Sequence, residues 1–142
     1  LLLAERQLDD AFAGDVAGAD DALLLTDQGH ICEGPAWNVF WRAGDTLFTP
    51  DLDLGVLAGV TRGIVIDLAR DQGLAVRQGA WPRAELDQAD EIFATMTSVG
   101  LVPIRSLDGR HLDPGSPTAT ALQPLYWARV RSEVASDPVR PA

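Results

Sequence analysis

The segment Gly55-Val56-Leu57-Ala58-Gly59-Val60-Thr61-Arg62 is a glycine-bracketed loop that leads straight into a helical pattern. Such a junction leaves backbone N–H groups unpaired at the positive end of a helix dipole, where an anion can sit. Gly59 lets the backbone come close, and the Thr61 hydroxyl can add a hydrogen bond to a phosphate oxygen. The same stretch also reads as an ordinary loop closed by glycine. Glu33 ends a strand pattern, precedes Gly34-Pro35 and has mostly apolar neighbours apart from Asn38. If buried, its carboxylate needs a compensating cation or protonated ring nitrogen to stay ionised. As a partly exposed turn residue it needs none. Thr95-Met96-Thr97-Ser98 gathers hydroxyls between two apolar strand patterns, which suits anionic groups and equally suits threonines at a sheet edge.

The elements that must position these residues follow from periodicity and turn chemistry. Leu1, Leu2, Glu5, Leu8 and Phe12 fall at helical spacing and predict an opening helix. Ala22 to Leu25 predicts a buried strand, and Asp27-Gln28-Gly29 a turn. His30 to Glu33 and Trp37 to Arg42 form the next strand pair, followed by an Ala43-Gly44-Asp45 turn and a Thr46 to Thr49 strand. Thr61 to Gln72 is the clearest helix: Ile64, Val65, Leu68 and Ala69 share a face, Arg70 suits the C-terminal end, and Gly73 is placed as a left-handed cap. A strand at Leu74 to Gln78, a short helix at Arg83 to Gln88, strands at Glu91 to Thr95 and Leu101 to Ser106, and a helix from Pro117 to about Val134 complete the pattern. Helix, sheet, helix, sheet, helix is the order of an α/β or mixed α+β domain with helices on a mixed sheet.

Composition narrows the function classes. With 142 residues and 46% hydrophobic content, one domain with one core is the expectation. Twenty-one acidic against eleven basic residues leave a formal charge of −10, which argues against nucleic acid and anionic membrane surfaces as partners. The single cysteine, Cys32, has no intramolecular partner and fits a reducing, cytoplasmic compartment. No apolar run reaches the roughly 18 residues of a membrane span. His30 and His111 have no ligand spacing with Cys32 or a carboxylate cluster, so no metal site is expected. The eleven basic residues are all arginine.

Taken together, Glu33-Gly34 followed by Asn38-Val39-Phe40, then Thr49-Pro50, then Gly55-Val56-Leu57 with Gly59-Val60-Thr61-Arg62, then Ala89-Asp90-Glu91-Ile92-Phe93 resemble the class IV, fold-type IV pyridoxal-phosphate aminotransferases in order and spacing. That group includes branched-chain and D-amino acid aminotransferases, (R)-amine transaminases and the relative aminodeoxychorismate lyase. The resemblance runs from Leu1 to about Arg131. It implies the C-terminal domain of the D-amino acid aminotransferase-like fold, a mixed sheet or pseudo-barrel with flanking helices, occupying residues 1–142. It also implies pyridoxal 5'-phosphate as cofactor, with Glu33 facing the pyridine nitrogen and Leu57 packing on the ring. Gly59 would allow close approach, Val60, Thr61 and Thr97 would hold the phosphate, and Trp37, Thr97 and Ser98 would border the substrate. Asn38, Arg62, Asp90 and Glu91 are read as scaffold. Trp41, Trp81 and Trp127 are read as packing residues.

One element of the family pattern has no counterpart. A lysine forms the Schiff base with the cofactor in this family and serves as nucleophile and general acid/base, and this chain contains none. In the family pattern that lysine lies shortly before a helix resembling Leu1 to Phe12, so the 142 residues are expected to be part of a longer protein whose N-terminal domain and lysine lie upstream. The parent is expected to be a homodimer that moves an amino group between an amino acid or amine and a 2-keto acid. Two alternatives stand beside this: a lyase that eliminates pyruvate, and a noncatalytic domain that keeps the cofactor cradle as an interaction module.

Overall fold

In the computed structural model, the described residues are 2–7, 20–112 and 115–137. The chain runs β1 (Leu2–Gln7), β2 (Asp21–Leu25), β3 (Asn38–Ala43), β4 (Thr46–Pro50), α1 (Val60–Asp71), β5 (Ala75–Gly79), β6 (Glu91–Met96), β7 (Gly100–Pro103), β8 (Ser106–Leu107), β9 (Arg110–His111) and α2 (Pro117–Ala135). One-turn and two-turn 3-10 helices at Leu52–Leu54 and Arg83–Gln88 link β4 to α1 and β5 to β6. The strands form a four-stranded sheet, order β2-β1-β8-β9, and a five-stranded sheet, order β5-β4-β3-β6-β7. Both are mixed: β1 lies parallel to β2 and β8, and β4 parallel to β5, while the β3–β4, β3–β6, β6–β7 and β8–β9 pairs are antiparallel. The parallel β4–β5 pair needs a crossover, and α1 provides it.

The two-residue period of the strands divides the core in two. Val39 and Trp41 of β3 and Ile92 and Ala94 of β6 point into a cluster with Leu23, Leu25, Ile31 and Leu107, which joins the two sheets. Phe40 and Phe93 point the other way, to Ile64, Val65, Leu68 and Ala69 of α1 and Ala119, Leu122 and Tyr126 of α2. Phe40 and Phe93 are register partners and stack with centroids 5.3 Å apart at 2°. Burying rings of this size contributes roughly 1.5–3 kcal/mol each. The helices therefore cover one face of the five-stranded sheet and the second sheet covers the other, as a mixed sheet with flanking helices requires.

α1 agrees with its sequence signals: the predicted face is buried, Arg70 lies in the last turn, and Gly73 takes φ 85° after the Gln72 cap. The predicted opening helix is a correction. Leu2–Gln7 is a strand whose residues Leu3 to Gln7 pair in parallel with Asp21 to Leu25, and whose Leu2 and Leu3 pair with Ser106 and Leu107; Leu8 to Phe12 lie outside the described residues. Hydrogen bonding to two neighbours distant in sequence overrides local helical spacing. His30 to Glu33 is likewise not a strand paired with Trp37 to Arg42. It folds back on β2, where Cys32 N–H donates to Leu24 C=O at 3.0 Å and Leu24 N–H to Glu33 C=O at 2.8 Å. The predicted Leu101 to Ser106 strand is divided between β7 and β8, because the chain leaves one sheet at Pro103 and enters the other at Ser106. Among the described residues, no helix is long and apolar enough to cross a membrane.

Candidate functional site

Glu33, Trp37, Leu57, Gly59, Thr61 and Thr97 line one depression of about 90 Å³, at the end of the five-stranded sheet where β3 begins and β6 ends. Residues from three separated segments thus share a wall. Val60, 69% exposed, follows Gly59 at the rim, and Ser98 lies exposed beside Thr97; neither lines the depression.

Glu33 is placed by a tight turn. Gly34 N–H donates to Trp37 C=O at 2.9 Å, with Pro35 and Ala36 at the corner. A Cβ at Gly34 would fall inside the Trp37 indole, so only glycine allows the ring to lie there. Trp37 is nearly buried and its indole N–H donates to Asp21 Oδ2 at 3.0 Å. Its polar group is therefore committed to the scaffold, and what it offers the depression is apolar surface. Glu33 Oε2 accepts the Leu57 N–H at 3.0 Å and makes a longer contact of 3.4 Å with Asn38 Nδ2. Asn38 Nδ2 also donates to Leu57 C=O at 2.9 Å. Both backbone polar groups of Leu57 are thereby held, while its side chain stays 71% exposed beside the carboxylate. An apolar side chain fixed in the open next to a charge suits a flat ring carrying a cationic nitrogen.

The start of α1 forms another part of the depression's wall. Gly59 is the N-cap and offers no side-chain acceptor, so the first N–H groups, from Val60 onward, are left for an external acceptor. A Cβ at Gly59 would collide with Asn38 Oδ1, which explains the glycine by close approach rather than by backbone angle. Thr61 is buried, and its Oγ1 lies 3.0 Å from Tyr126 Oη. The Thr95 hydroxyl, in the same wall, is buried and has no hydrogen-bond partner among the described residues. Within the depression, the Glu33 carboxylate suits a cation and the start of α1 suits an anion. A ligand with a protonated ring nitrogen and a phosphate meets both, so the residues present fit pyridoxal phosphate.

The scaffold residues are accounted for. Arg62, 5% exposed, donates to Pro50 C=O at 3.1 Å and Gln78 Oε1 at 2.7 Å, tying α1 to β4 and β5. Burial lowers its pKa, and the Asp51 carboxylate partly opposes this. Asp90 Oδ2 accepts the Gly44 N–H at 2.9 Å. Glu91, 1% exposed, accepts the N–H groups of Thr118 and Ala119 at 3.0 and 2.8 Å and so caps α2. Burial, reinforced by the neighbouring Glu33 carboxylate, pushes the Cys32 thiol up. Sequence reasoning missed Tyr126 and the Asp21–Trp37 bond, and it named Thr95 only as a member of a hydroxyl cluster, without its burial. Each joins segments far apart in the chain or depends on burial, and nothing local marks it.

The sequence profile of the family described as Amino-transferase class IV matches residues 14–107. The chain is 34% identical over 137 residues to the aminodeoxychorismate lyase of Bacillus subtilis (strain 168), covering 94% of this chain and 47% of that protein. It is 38% identical over 126 residues to the probable branched-chain-amino-acid aminotransferase of Thermotoga maritima, covering 87% and 43%. Among solved structures, the branched-chain aminotransferase of Thermoproteus uzoniensis with norvaline matches with a TM-score of 0.76 and 35% identity, over 82% of this chain and 39% of that one. The chain spans about half the length of the curated relatives it matches.

Proposed function

This chain belongs to the class IV amino-transferase family, and from that premise we propose that it is the cofactor-holding, C-terminal domain of a pyridoxal-phosphate-dependent transaminase. The observation that carries this reading is the pairing of Glu33, held by Leu57 N–H at 3.0 Å, with the uncapped N-terminus of α1 in one depression. Pyridoxal phosphate, when bound, supplies an electron sink for the charge that develops at the substrate α-carbon. Glu33 accepts a hydrogen bond from the ring nitrogen and keeps it protonated. Leu57 packs against the ring. The N–H groups of Val60 and Thr61, with the Thr61 and Thr97 hydroxyls, bind the phosphate, and the helix dipole favours its charge. Trp37 limits the pocket with its ring, and the backbone around Thr97 and Ser98 would border the substrate's polar group.

The proton-carrying lysine is supplied, on this reading, by sequence beyond these 142 residues, and the partner reactants are an amino acid or amine and a 2-keto acid. The parent protein is proposed to be a cytoplasmic homodimer. Incubating the protein that carries this chain with pyridoxal phosphate, branched-chain amino acids and 2-oxoglutarate tests the reading, with glutamate as the expected product. Pyruvate released from aminodeoxychorismate, with no amino transfer, would instead support the lyase reading that the 34% identity to the Bacillus subtilis protein favours. Absence of cofactor binding would overturn both.

A further inference from the structure

Thr61 and Tyr126 are 65 positions apart in sequence, yet their hydroxyls lie 3.0 Å apart in the interior, and the geometry lets either donate. Each has one proton. Among the described residues, Tyr126 Oη has no hydrogen-bond partner other than Thr61. If Thr61 donated to Tyr126, it would turn only lone pairs toward an anion at the start of α1, and these repel a phosphate. If Tyr126 donates to Thr61, the Thr61 proton is free to point at the anion, and the donated bond polarises the Thr61 O–H further.

We propose that Tyr126 is a positioning residue for the anion seat: its phenol donates to Thr61 Oγ1 and so fixes the Thr61 hydroxyl as a donor to a phosphate group. The inference rests on the reading of the α1 N-terminus as a phosphate site. The ring is held where this requires. Tyr126 is 2% exposed and packs edge-on against Trp127 at 4.9 Å. A Cβ at Gly100 would lie 3.0 Å from its ring. The helix that carries it is fastened at two places: Glu91, at the start of β6, caps its first turn, and at the β6–β7 turn Gln123 accepts Leu101 N–H at 2.8 Å and donates to Val99 C=O at 3.0 Å. Thr97 occupies that same turn. α2 therefore reaches Thr61 through Tyr126, which is not among the residues lining the depression.

The test compares binding of pyridoxamine 5'-phosphate and pyridoxamine, neither of which can form a Schiff base with a lysine, by quenching of tryptophan fluorescence in the protein that carries this chain. The ratio of the two dissociation constants reports the phosphate alone. Tyr126→Phe is expected to shrink that ratio by about tenfold, the scale of one hydrogen bond to a charged group, and to leave pyridoxamine affinity unchanged. Thr61→Val should shrink it at least as much, and adding Tyr126→Phe to Thr61→Val should change nothing more. A wild-type preference for the phosphorylated ligand that survives Tyr126→Phe intact would overturn the inference alone. A wild-type ratio near one would overturn the phosphate seat and the inference with it. Equal weakening of both ligands would also contradict it, since that is the signature of a purely structural role. If Tyr126→Phe fails to fold, the Thr61→Val ratio and the hydroxyl-retaining Thr61→Ser decide: Thr61→Ser is expected to keep the ratio, and its loss there would overturn the inference.

Discussion

Glu33 Oε2 accepts the backbone N–H of Leu57 at 3.0 Å, joining residues 24 positions apart, and Asn38 closes the link by donating to the carbonyl of the same Leu57. The carboxylate proposed to face a ring nitrogen thus also fixes the loop that leads into α1.

Replacement of the charge without the shape separates these two roles. Glu33→Gln is expected to retain cofactor, because the amide oxygen can still accept from Leu57, but to slow loss of the substrate α-proton on the order of 10²-fold. Solvent exchange of that proton, followed by NMR, checks it; an unchanged rate would defeat the electron-sink role.

The two glycines at the start of α1 should respond in opposite directions. Gly63 has nothing within 4 Å of an added Cβ and sits exposed in the helix, so Gly63→Ala should stabilise by roughly 0.5–1 kcal/mol. Gly59→Ala would push on Asn38 and should cost about 1–3 kcal/mol and weaken cofactor binding. Urea midpoints for both variants provide the comparison.

Thr61→Ala should act mainly on the phosphate. Affinity for pyridoxamine 5'-phosphate is expected to fall about tenfold or more, with little change for pyridoxamine, in paired titrations.

Glu91 lies far from the cofactor seat but caps α2 from the interior. Glu91→Ala leaves the Thr118 and Ala119 N–H groups without acceptors and should destabilise by about 2–3 kcal/mol. Glu133→Ala, on an exposed part of the same helix, should stay within about 0.5 kcal/mol. Chemical denaturation of the two variants distinguishes a cap from a surface charge.

Much of this arrangement was legible where the signal is local. α1 carried its own periodicity and a glycine stop, the 3-10 segment at Arg83–Gln88 lay where a short helix was expected, and the loop from Gly55 to Arg62 showed its glycines in sequence. Where pairing partners are distant the sequence was a poor guide. Helical spacing in Leu1 to Phe12 hid a strand whose conformation is set by β2 and β8. The chain's passage between sheets at Ile104–Arg105 divides the predicted Leu101 to Ser106 strand just after Pro103, the one local signal for the break. The site followed the same division: Glu33, Gly59 and Thr61 could be named from motif, whereas the Tyr126 contact and the buried Thr95 hydroxyl arise only when α2 and β6 are packed.

On the proposed function, Glu33 keeps a cofactor ring nitrogen protonated in the depression where the start of α1 holds the phosphate. The most direct measurement is the 15N chemical shift of ring-labelled pyridoxamine 5'-phosphate bound to the protein that carries this chain. A protonated nitrogen is expected in the wild type at neutral pH, with a shift toward the neutral pyridine in Glu33→Gln. A nitrogen that is unprotonated in the wild type, or equally protonated in both, would contradict it.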